Sequence, residues 1–75
     1  MTADPGDATV PITVNGDDHR VAPGSTVAAL LAELGTETRG VAVAVDAEVV
    51  PRGTWPDHRL RGGERVEILS IARGG

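Results

Sequence analysis

One apolar stripe at helical spacing, Val27, Leu30, Leu31 and Leu34, stands between runs that alternate with period two, and this combination restricts the fold more than any other feature. The stripe falls at i, i+3, i+4 and i+7, so one face of a helix starting near Thr26 is apolar. Ser25 or Thr26 offers a side-chain oxygen to the first free N–H groups of that helix, and Gly35 stands where a left-handed C-terminal cap is wanted. At about nine residues such a helix does not persist alone in water. It must lie against a sheet, with its leucines in the core.

The flanking runs supply the strands. Val10, Ile12 and Val14 alternate with Pro11 and Thr13, and Pro11 suits only a strand start or an edge. Asn15-Gly16 is a tight-turn signal, because both residues accept positive φ, and a second brief strand follows around His19 to Val21. Pro23-Gly24 ends it. Val41, Val43 and Val45 alternate with Ala42 and Ala44; Asp46-Ala47 turns the chain into a short fourth strand at Glu48, Val49 and Val50, which Pro51 stops. Residues 52–60 hold Gly53, Trp55 and Pro56 without a clean period, which predicts a turn or short 3₁₀ segment pinned by Trp55. After Gly62-Gly63 a fifth strand, residues 65–71, ends the globule.

The expected architecture is α+β: a mixed sheet of about five strands packed on one main helix, in the order ββαββ; if the last strand lies parallel beside the first, a right-handed crossover fixes the arrangement. That layout is a β-grasp, whereas a ferredoxin-like sandwich needs a second helix that this chain cannot supply. There are no internal repeats. The domain is placed at residues 10–71, between a small acidic leader at 1–9, expected to be disordered, and a flexible tail at 72–75.

Seventy-five residues make one domain, and a core of that size leaves little room for a ligand pocket of about 300 Å³, so a self-contained enzyme is disfavoured. The net charge of −4 argues against nucleic acid and against an anionic membrane surface. With no cysteine there is no disulfide, no thiolate nucleophile and no cysteine-based zinc site. All seven basic residues are arginine, so no lysine can form a Schiff base or accept an isopeptide bond. His19 and His58 are far apart and read as surface or loop residues; Asp17-Asp18 and Asp46 with Glu48 read as solvated turn carboxylates; Trp55 reads as a core plug. No glycine-rich phosphate loop is present. The expectation is a monomer with no bound cofactor or metal, and a cytoplasmic one, since residues 1–9 lack the apolar run of a signal peptide.

The interest therefore moves to Gly74-Gly75. At a glycine frequency of about 7%, two terminal glycines coincide by chance roughly one time in 200, which favours function over accident. Two residues without Cβ form a thin strip that can thread a narrow channel and present a carboxylate in another protein's active site. A free carboxylate is a poor acyl donor and needs activation, for instance by adenylation, before a sulfur or amine nucleophile can displace a leaving group. The fifth strand adds a second clue. If Val66, Ile68 and Ser70 face the core, Glu67, Leu69 and Ile71 face water, and Leu60 is a candidate to extend that patch beside the tail. The opposite phase would erase it.

Val41-Ala42-Val43-Ala44-Val45-Asp46, then Val50-Pro51-Arg52 with Trp55, then Leu60 and Gly63-Glu64-Arg65-Val66-Glu67-Ile68 resemble one known family, the sulfur carrier proteins of thiamin biosynthesis called ThiS, relatives of ubiquitin in fold. The resemblance runs from about Ile12 to Gly75. It implies that Gly75 is adenylated by a ubiquitin-activating-like enzyme that uses ATP, converted to a thiocarboxylate with sulfur from a cysteine desulfurase or other donor, and delivered to thiazole synthase. It also implies that the exposed sheet face near the tail meets partners, which selects Leu60 and Leu69, with Ile71, Ala72, Arg73 and Gly74 guiding the tail. The chain would be a co-substrate and no enzyme. Asp46 stands where the family commonly has Asn, and Glu64 where it has Asp. The small subunit of molybdopterin synthase shares the fold and the Gly-Gly end but has aromatic residues near the tail that are not seen here; carriers for cysteine or secondary-metabolite pathways stay open, and a ubiquitin-like modifier or interaction module is the alternative of a different class.

Overall fold

The computed structural model describes residues 9–70; the leader up to residue 8 and the segment 71–75 lie outside the described residues. Strands β1 (Val10–Val14) and β2 (Asp17–Val21) form an antiparallel hairpin closed by Asn15 and Gly16, whose φ values of 52° and 88° are those of a primed turn. Helix α1 (Val27–Leu34) follows, then β3 (Val41–Val45), β4 (Glu48–Val49), a 3₁₀ turn (Arg52–Thr54) and β5 (Arg65–Ser70). Written in full, the order is the expected ββαββ run followed by the 3₁₀ turn and the fifth strand. The sheet order is β2-β1-β5-β3-β4, with β5 parallel to β1 and antiparallel to β3.

Pro11 proves to be in an internal strand, yet at its start. Its carbonyl accepts from Gly63 N–H at 2.8 Å, so the side of Pro11 that lacks an N–H faces the Gly62-Gly63 turn, where no ladder bond is lost. Asp17 and Asp18 lie within β2, not in the turn as expected, and their charges suit an edge strand that must not pair with another chain.

Helix α1 is capped at both ends. Thr26 accepts from Ala29 N–H at 3.1 Å, and Gly35, at φ 69°, is the left-handed C-cap. The two remaining N-terminal donors go to the distant loop: Val27 N–H to the His58 carbonyl at 2.9 Å and Ala28 N–H to the Trp55 carbonyl at 3.1 Å. Val27, Leu30 and Leu31 pack with Ile12, Val21, Val43, Val45, Val50, Trp55, Leu60 and Val66 into one core. Leu34 departs from the expected core role: it is 38% exposed, because the helix ends beside it at Gly35 and no further turn covers it.

The loop after β4 is built around Trp55, as expected. The indole is buried and donates to the Val50 carbonyl at 2.9 Å, while Arg52 stacks over its ring, 4.7 Å from the centroid, and donates to the Thr38 carbonyl. Thr54 closes onto the Pro51 carbonyl through both its N–H and its hydroxyl. The Val-Pro-Arg and Trp spacing is thus a staple that holds the start of α1, the end of β4 and the segment before β3 together.

Candidate functional site

Cross-strand partners share a face and alternate residues change face, so the ladder itself assigns the outer surface. Val66 is fully buried and Ile68 packs against the core, which settles the phase of β5: Glu67 and Leu69 face out. Ala42 is opposite Leu69, Ala44 is opposite Glu67, and Ala44 is also opposite Val49 on β4. Leu69, Ala42, Ala44 and Val49 therefore form one apolar strip that crosses three strands, with Leu69 at 57% and Val49 at 72% exposure. Glu67 stands within it on the same face. The two alanines keep the strip shallow, so a flat partner surface can approach the sheet.

Leu69 holds the exposed place expected of it, beside Ser70, where β5 ends. Leu60 does not. It is buried at 3% exposure, because its N–H donates to the Ser25 carbonyl at 2.7 Å and the adjoining bridge between Thr26 and Arg59 draws the segment under the helix start. The place expected of Leu60 on the outer strip belongs to Val49 and the two alanines. Their signal is present in the sequence as alternation, but alternation places Val49 only within a short strand and does not say which strand it faces. Ile71, Ala72, Arg73, Gly74 and Gly75 lie outside the described residues.

The root of the C-terminal segment is held from both sides. On the β3 side, Asp46 N–H donates to the Arg65 carbonyl at 2.7 Å and its carboxylate accepts from Arg65 N–H at 2.9 Å, so this residue is a ladder extension as well as a turn. On the β1 side, Asn15 N–H donates to the Val66 carbonyl at 2.8 Å; its side-chain oxygen accepts from Ile68 N–H at 2.8 Å and its side-chain amide donates to the Ile68 carbonyl at 3.3 Å. Asn15 was legible only as a turn residue. Neither histidine approaches the strip: His19 lies in β2, and His58 serves the helix through its carbonyl. The described face can bind and position; it carries no nucleophile of its own.

Residues 12–75 match the model of the ThiS family. The sulfur carrier protein ThiS of Escherichia coli is 31% identical over 64 residues, spanning 85% of this chain and 97% of that protein. A thiazole synthase of Paramagnetospirillum magneticum is 34% identical over 64 residues, but the chain spans only 20% of its length. Among solved structures, the thiamine biosynthesis protein ThiS from Geobacter metallireducens superposes with a TM-score of 0.76 at 30% identity, covering 88% of this chain and all of that one.

Proposed function

The chain belongs to the ThiS family, and from that premise we propose that it is the sulfur carrier for thiazole formation in thiamin biosynthesis, loaded at the carboxylate of Gly75. The observation that carries this reading is the family match over residues 12–75, which takes in Gly74-Gly75 beyond a β5 whose last described residues flank an exposed apolar strip. The chain acts as a co-substrate: partners hold the catalysts, and the carrier brings the acyl group.

The chemistry balances in two steps. A Gly75 carboxylate oxygen attacks the α-phosphorus of ATP held by a ubiquitin-activating-like enzyme, and pyrophosphate leaves. Hydrosulfide then attacks the carbonyl carbon; a C–S bond forms, the C–O bond to AMP breaks, and AMP departs with the electron pair, leaving a thiocarboxylate with no change of oxidation state. With a cysteine desulfurase persulfide as donor, the product is first an acyl disulfide, and a second thiol releases the thiocarboxylate by attacking the donor's sulfur. The residues of this chain bind and orient. Leu69 and Val49 supply apolar area to a partner, at about 25 cal/mol per Å² removed from water, and Gly74-Gly75 present no Cβ to a narrow channel.

Thiazole synthase is the proposed acceptor's enzyme, supported by the carrier-like stretch that makes up a fifth of the thiazole synthase of P. magneticum. Loading that consumes ATP suits a cytoplasmic setting, which belongs to this proposal. Among the described residues no helix is long and apolar enough to cross a membrane. The test is the intact mass of the chain after incubation with ATP, an adenylating enzyme and sulfide. A gain of one sulfur for one oxygen, mapped to Gly75 and lost again on addition of thiazole synthase with its substrates, is expected. No gain with an enzyme active on another carrier contradicts the reading, and covalent conjugates to other proteins would identify a modifier instead.

A further inference from the structure

We propose that Asn15 is a positioning residue for sulfur loading: its carboxamide fixes the main chain of Ile68 and so sets the direction in which β5 leaves the sheet toward Gly75. This assignment rests on the carrier reading. Strand β1 ends at Val14, opposite Val66, while β5 runs on to Ser70. Past that point the β1 side of β5 has no strand to pair with, and the Asn15 side chain stands in for one. Its oxygen and its amide take both main-chain groups of Ile68, across 53 positions of sequence. On the other side, Leu69 is opposite Ala42 of β3. The strand is thus held at consecutive residues from opposite flanks, Ile68 by Asn15 and Leu69 by β3, whose pairing continues to Ser70, and Asn15 provides the last β1-side hydrogen bonds to it among the described residues.

The turn does not require this side chain. The hairpin accounts for an asparagine at φ 52°, but not for the two bonds its carboxamide makes to Ile68. Acyl activation depends on the reacting carboxylate arriving in line with its partner, and Ile68 and Ser70 are where the described chain is aimed toward it. The docking strip of Leu69 and Val49 faces outward and does not include Asn15, so binding and alignment are separable.

Two variants test this. Asn15→Gly keeps the positive φ and removes only the carboxamide. Asn15→Asp keeps the turn and the acceptor for Ile68 N–H but sets a carboxylate oxygen against the Ile68 carbonyl. Thiocarboxylate formation is followed with the adenylating enzyme, ATP and sulfide at varied carrier concentration, well below each variant's melting temperature. We expect kcat to fall about ten-fold for both with KM for the carrier unchanged, and the Ile68 amide to exchange faster in the glycine variant but to stay protected in the aspartate one. Unchanged kcat per folded molecule, or a raised KM with kcat intact, overturns the assignment. If the glycine variant fails to fold, the aspartate variant decides. A natural chain that gains no sulfur defeats the carrier reading and this assignment with it; a natural chain that loads, alongside variants that load equally well, defeats the assignment alone.

Discussion

The loop around Trp55 and the outer face of the sheet use sequence in opposite ways. In the loop each distinctive residue is consumed by the fold: the indole bonds the Val50 carbonyl, Arg52 covers the ring, and the carbonyls of Trp55 and His58 satisfy the helix start. On the outer face the residues are ordinary, two alanines, a valine and a leucine, and what matters is that the ladder leaves them side by side and uncovered. The most recognisable motif therefore holds the carrier together, while the surface and the tail proposed to meet partners carry little signature beyond Gly74-Gly75. A motif can identify a family without touching its chemistry.

Trp55→Ala should do the most damage to the fold. Removing a buried indole costs about 3–5 kcal/mol, most of the stability of a domain this small. Chemical denaturation should show that loss, whereas loading per folded molecule should be unchanged; a loading defect in the folded fraction would place the loop in the reaction. Leu69→Glu reverses the pattern. Its melting should shift by no more than about 0.5 kcal/mol, while KM for the adenylating enzyme should rise roughly ten-fold, the size expected when an interface anchor is made polar. Equal KM would remove the outer strip from the docking surface.

Smaller changes sharpen the same contrast. Arg52→Ala loses a ring stack and a bond to the Thr38 carbonyl, both made by an exposed side chain, and should cost about 1 kcal/mol in urea unfolding with normal loading. Ala47→Gly should be the mildest and of opposite sign. Ala47 sits at φ 70°, where a Cβ is unfavourable, so glycine should raise stability by about 0.5 kcal/mol, visible as a higher melting temperature. A lower melting temperature would mean that the turn is not strained.

Local signals carried most of the fold into the sequence. Thr26 and Gly35 bound the helix, Asn15-Gly16 closes the hairpin, and the alternation of 41–45 is a strand buried on one side. What stayed hidden depends on partners far away. Leu60 reads as a surface leucine until its backbone is seen bonded to Ser25, 35 positions earlier in the chain. Asp46 and Asn15 read as turn residues because their side-chain bonds reach across 19 and 53 positions, which no spacing rule records. Leu34 follows the helical period faithfully and is still part-exposed, since period says which face is apolar but not where the cover ends. The outer strip was half legible: Leu69 followed from the phase of β5, whereas Val49 needed the register of β4.

The central claim is that the loop and core make the carrier while Gly75 makes it reactive. The most direct test is the chain lacking Gly75, compared with the full chain for melting temperature and for intact mass after the loading reaction. The shortened chain should keep the same melting temperature and the same buried-tryptophan fluorescence and show no exchange of oxygen for sulfur. A shortened chain that still gains sulfur would contradict it.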